Sequence, residues 1–161
     1  MKQGTDLFDQ TDNGAYFSDC RKYRYALWRI WDKSKQLVMF IGLNPSTANE
    51  SKDDPTIRRV KKFASDWGFG GFYMMNLFAY VTSDPGELKK HNNLINNFWL
   101  LKISSKCKRV VFAWGSFNEA TERAQEVIQM FAGYALRINK DGSPRHPLYV
   151  KSNIKPIKYL E

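Results

Sequence analysis

From residue 23 onward the chain switches between two hydrophobic periods. YRYALWRIWD (residues 23–32) alternates with an aromatic bias, as a half-covered strand does. After the turn DKSK, QLVMFIGL (36–43) is apolar without a break, as a strand covered on both faces is. The polar loop NPSTANES follows. Asp54 and Pro55 then supply a capping oxygen and a first-turn proline, and Ile57, Val60, Ala64 and Trp67 recur at helical spacing. That predicts an amphipathic helix over 55–67, stopped by Gly68, Gly70 and Gly71. FYMMNLFAY (72–80) is the next strand with its exit, and Leu94, Phe98 and Leu101 predict a helix over about 91–105. RVVFAWG (109–115) is another buried strand, followed by a helical stripe of Phe117, Ala120, Ala124, Val127, Ile128 and Phe131. A short strand around GYALRI and the segment LYVKSN complete the predicted core.

This order implies an α/β fold: a three-layer α/β/α sandwich with a mainly parallel central sheet. Neither a repeat nor a long linker divides the chain. The expectation is therefore one domain over 1–161, with a loosely held start over 1–20 and a core over 21–161. In such sheets ligands bind at the carboxyl ends of the strands. NPSTA, NLFAY, WGSFN and DGSPRHP all fall at that edge, so the chemistry is expected there.

Charge sharpens the picture. The 161 residues carry a formal net charge of +9, and the first twenty oppose it, with Lys2 against Asp6, Asp9, Asp12 and Asp19. The remainder is more basic than the whole, which suits a polyanionic partner, DNA first among them, duplex or single-stranded. Lys61, Lys62, Lys89, Lys90, Lys106, Lys108 and Arg109 are read as a general positive surface. Aromatic residues make up 15%, enough to supply stacking faces beyond the core. Cys20 and Cys107 form no CxxC pattern, and with only two histidines no metal site is expected. No leader and no apolar run of membrane length stand out, so a cytoplasmic protein with reduced thiols, no membrane contact and no obligate protein partner is expected.

Three residues draw attention to the strand ends. Asn44, in GLNPS, leaves its strand between a glycine and a proline and can both donate and accept. Asn76 is a polar break in an apolar strand, able to cap a loop or to read a base edge. His146 follows Arg145 and is clamped by Pro144 and Pro147. His91, beside Lys89 and Lys90, reads as solvated. Asp54 reads as a helix cap, whereas Asp53, one short loop from Asn44, is a candidate for the carboxylate that activates water.

Together these segments resemble the uracil-DNA glycosylase superfamily, with GLNPS as its first motif, FYMMNLFAY as its base-recognising strand and VVFAWGSFNEA as its WG segment. RHPLY resembles its second motif. GLNPSTA, DDPTIRR, NLFAY and DGSPRHPLY further resemble a bacterial and phage family of unknown function, the domain of unknown function sixteen-forty-three. The superfamily resemblance implies an enzyme without cofactor or metal that hydrolyses the N-glycosidic bond of a flipped uracil, mismatched or modified base. It implies that Asn44 orients water, Asn76 bonds the base edge and His146 donates to the base oxygen. Phe72, Phe78 and Tyr80 are the expected stacking wall. Ser46, Thr47, Arg58, Ser143 and Arg145 are the expected contacts to DNA, and Arg145, with Ser143 and Pro144, is the expected wedge beside the phosphates. The sequence departs from the classical pattern at Asn44-Pro45-Ser46, where that pattern has Asp followed by Pro-Tyr, and at Leu148, where it continues with Ser. Both departures point to a modest rate and a looser pocket. A DNA-binding module without catalysis, or an enzyme or binder acting on free nucleosides or nucleotides, are the alternative readings.

Overall fold

The computed structural model describes residues 12–159. Seven strands form one sheet in the order β1-β2-β4-β3-β5-β6-β7. They are β1 (Asp12–Phe17), β2 (Arg24–Ile30), β3 (Leu37–Gly42), β4 (Gly71–Asn76), β5 (Arg109–Phe112), β6 (Tyr134–Ala135) and β7 (Ile157–Lys158). Three helices connect the inner strands: α1 (Pro55–Asp66), α2 (Leu94–Ser104) and α3 (Thr121–Met130).

The sheet is mixed, which corrects the expectation of a mainly parallel one. β3 pairs in parallel with β4 and β5, and β5 with β6, whereas β1 to β2, β2 to β4 and β6 to β7 are antiparallel. The antiparallel strands flank the parallel centre. Two of them, β1 and β7, are polar edges without the apolar run that marks a central strand. The loosely held start expected over 1–20 is a paired strand from residue 12, and the part before it lies outside the described residues.

Crossovers of one hand put α1 on one face and α2 with α3 on the other, because the strand order reverses between the β3–β4 and the β4–β5 connections. Burial agrees. Ile57, Val60, Phe63 and Ala64 of α1 pack with Val38, Phe40, Phe72 and Met74. Leu100, Ile103, Ala124, Val127 and Ile128 of α2 and α3 pack with Met39, Ile41, Met75 and Phe112. The α2 reading changes in detail: Leu94, Phe98 and Leu101 are exposed, and Leu100 and Ile103 face inward. A helix apolar all round gives no periodic cue to its inner face. LYVKSN contributes only Val150 to the core, while Leu148 and Tyr149 are exposed.

Candidate functional site

Residues that leave β3, β4 and β5 meet at the carboxyl edge of the parallel strands. The exits are stitched together: Leu77 N–H donates to Gly42 O at 2.8 Å and Phe78 N–H to Leu43 O at 3.0 Å. Behind them, Asn96 Nδ2 of α2 donates to Asn76 O and Leu77 O, and Arg123 Nε of α3 donates to Leu77 O. The histidine loop is fixed to this edge by Gly115 N–H, which donates to Pro144 O at 2.9 Å. Gly115 holds φ at +81°, and a Cβ there would stand 3.3 Å from Phe117 and 3.5 Å from His146. Arg59 of α1 secures the loop from the other side through the carbonyls of Pro147 and Val150.

The product is a cleft of about 380 Å³, within the range of small-ligand sites. Asn44, Asn76 and His146 all line it, with Ser46, Arg24, Asp54 and Phe117. A second hollow of about 630 Å³ continues from it past Thr56, Phe117 and His146 to Arg145, Leu148 and Tyr149.

Each polar group presents a defined face. Asn44 Nδ2 donates to Thr82 O at 2.7 Å and to the carbonyls of Pro45 and Tyr80, so its oxygen is the part left for a ligand. Asn76 is 3% exposed, and its Oδ1 accepts from Arg24 Nη2 at 3.2 Å. A guanidinium only donates, which fixes the amide orientation and leaves Nδ2 for the cleft. Gly42 makes room for that nitrogen, since a Cβ there would lie 3.0 Å from it. His146 Nδ1 accepts from Leu148 N–H at 3.1 Å. In the neutral ring the proton therefore sits on Nε2, a donor. Burial lowers the His146 pKa and favours that neutral form, with Asp54 acting in the opposite direction.

Asp54 rather than Asp53 is the carboxylate at the cleft. Its Oδ1 caps α1 by accepting from Ile57 N–H at 2.8 Å, and the residue lines the hollow. Asp53 is paired with buried Arg29 at 2.8 Å and is absent from the lining. The expected stacking wall also moves. Phe72 is fully buried in the core beneath α1. Phe78 and Tyr80 line a separate hollow of about 190 Å³, where Tyr80 stacks on His91 with centroids 3.9 Å apart. His91 is thus engaged rather than simply solvated, and its Nδ1 lies 2.8 Å from the Tyr23 hydroxyl.

The aromatic face at the cleft is Phe117, which belongs to its wall and not to the buried stripe of α3. Its place after the turn at Gly115 was the available signal. Among the expected DNA contacts, Ser46 is at the cleft, while Thr47 and Arg58 are exposed outside its lining. Ser143 is bonded to Asp141 and Asn139, and Arg145 Nε donates to Asn139 Oδ1 at 2.9 Å. Pro144 is buried. Among the described residues no three His, Cys, Asp or Glu side chains group as metal ligands do. No helix of the described residues is long and apolar enough to cross a membrane.

The fold and site define an α/β protein with a cleft at the ends of its parallel strands, into which Asn44, Asn76, His146, Arg24 and Asp54 bring polar groups. Over residues 24–148 the chain matches the family described as "Protein of unknown function (DUF1643)", and it belongs to that family. No curated protein and no solved structure matches it significantly.

Proposed function

We propose that this protein takes a flipped DNA base into the cleft and hydrolyses its N-glycosidic bond. The observation that carries the reading is the shared lining: an Nε2–H donor on His146, an Nδ2–H donor on Asn76 and the Asp54 carboxylate face one hollow beside Phe117. A base leaves as an anion, and two preset donors stabilise that charge. As the C1′–N bond breaks, its electron pair goes to the base and water oxygen bonds to C1′. Asp54 takes the proton of the water, the role first assigned to Asp53, and Asn44 Oδ1 accepts from the same water to orient it. The free base then takes up a proton from solvent. Phe117 is the stacking face.

Leu148 and Tyr149, exposed just after Pro147, are large side chains with apolar bodies suited to fill the gap left in the duplex. They replace Arg145, Ser143 and Pro144 as the wedge. Arg58, Arg145, Ser46 and Thr47 stay as backbone contacts. A sandwich of the uracil-DNA glycosylase type belongs to the same proposal, supported by the inner parallel strands with helices on both faces.

Oligonucleotides carrying uracil, mismatched or modified bases, incubated with protein and heated in alkali, test the reading. Strand breaks that His146→Ala and Asn44→Ala abolish are expected; none with any base contradicts it. A binding module without catalysis is the second reading, favoured by the commitment of Asn44 Nδ2 to loop carbonyls. Tight, base-selective binding without breaks selects it.

A further inference from the structure

Arg24 stands at the cleft and has no role in the reaction just described. It is 3% exposed. Nη1 donates to Ala48 O at 3.2 Å and Nη2 to Asn76 Oδ1 at 3.2 Å, both long. Its Nε–H is buried with no acceptor. Arg24 forms no ion pair among the described residues. Arg29, equally buried, shows what a purely structural arginine receives: the Asp53 carboxylate and the carbonyls of Gly14, Trp28, Asn49, Glu50 and Lys52. Burial pushes the Arg24 pKa down to about 10, which leaves it charged at neutral pH; Asp54 raises it through space and Arg29 lowers it. A buried cation with so few acceptors is costly, and here it borders an open cleft.

We propose that Arg24 is the charge-stabilising residue of this site: through the Asn76 amide its fixed positive charge favours the departing base as an anion. The proposal rests on the glycosylase reading. The Nη2–H bond to Oδ1 polarises the amide and strengthens Nδ2–H as a donor. Asp54 lines the same cleft, so a cation and a carboxylate act on one bound nucleotide. That field suits heterolysis, in which the base gains the electron pair and the sugar becomes positive. Arg24 acts through Asn76 and is therefore a positioning residue.

The test compares base release from oligonucleotides carrying 5-fluorouracil, uracil and thymine, whose anions form with decreasing ease. Arg24→Met is expected to slow thymine release about 100-fold and 5-fluorouracil release about 10-fold or less, and Arg24→Lys to recover most of the loss. A structural role slows all three by the same factor, and that result overturns the proposal. Where Arg24→Met fails to fold, the unaltered protein gives a second measurement, the ¹⁹F titration of free 5-fluorouracil. The bound base is expected to ionise at lower pH than the free base. An unchanged or raised midpoint, no binding at millimolar base, or displacement by an equal concentration of inorganic phosphate overturns it. Release of no base from any oligonucleotide, with a lowered midpoint for bound 5-fluorouracil, removes the parent reading and leaves the anion site.

Discussion

His146 draws its tautomer from its own loop. Leu148 N–H occupies Nδ1, so protonating that nitrogen sets two donors against each other. Burial holds the folded midpoint below the ordinary value of 6.5, with Asp54 acting in the opposite direction. As pH falls through 6.5 the unfolded chain binds the proton first, so stability is full above that pH and declines until the folded midpoint is passed. A ¹⁵N titration of the His91→Gln protein should show an Nε2–H ring with a midpoint under 6.5; an Nδ1–H ring contradicts the assignment. Asp54 caps α1 and, in the proposed reaction, takes the proton of the water, and substitution can separate the two. Asp54→Asn keeps the cap oxygen and is expected to change stability little while removing activity; Asp54→Ala should cost about 1 kcal/mol in addition. Denaturation midpoints read beside base-release rates check both.

The elements around the site differ in how far the sequence revealed them. The start of α1 was legible because its signals are local: an aspartate, a proline and an apolar stripe within four turns. β3 was legible as an unbroken apolar run. The edge strands were not: β1 opens on polar residues and shows no apolar run although it pairs with its neighbour β2, and β7 is two residues long and pairs with β6, more than twenty residues before it. Asp53 and Asp54 are neighbours that sequence alone cannot rank; the buried Arg29, from β2, claims one and leaves the other at the cleft. Phe72 and Phe78 were misassigned because aromatic character is the same in a core and in a binding wall. Arg29 fixes the segment 49–53 that leads into α1. Arg29→Met should therefore cost about 3 kcal/mol or more by taking the guanidinium donor from the Asn49 and Glu50 carbonyls and leaving Asp53 without its cation, as a denaturant midpoint will show. A loss under about 1 kcal/mol contradicts that role.

At the scale of the whole molecule, the net charge of +9 sets the terms of any DNA contact. Exposed Lys61, Lys62, Lys89, Lys90, Lys106 and Lys108 spread the charge over the surface, and Lys62 and Lys90 are partly neutralised by Asp66 and Glu87. With about four phosphates neutralised, affinity for DNA should fall about 100-fold between about 50 and about 200 mM salt. A flat salt dependence in a filter-binding or anisotropy titration contradicts a backbone contact. In the proposed function such binding brings the strand to the cleft, where the proposed chemistry follows. The most direct measurement is mass detection of free bases after incubation with oligonucleotides that differ in one base. The account predicts release of at least one base, lost with His146→Ala while DNA binding persists; oligonucleotides that stay intact throughout the panel, or release unaffected by His146→Ala, contradict it.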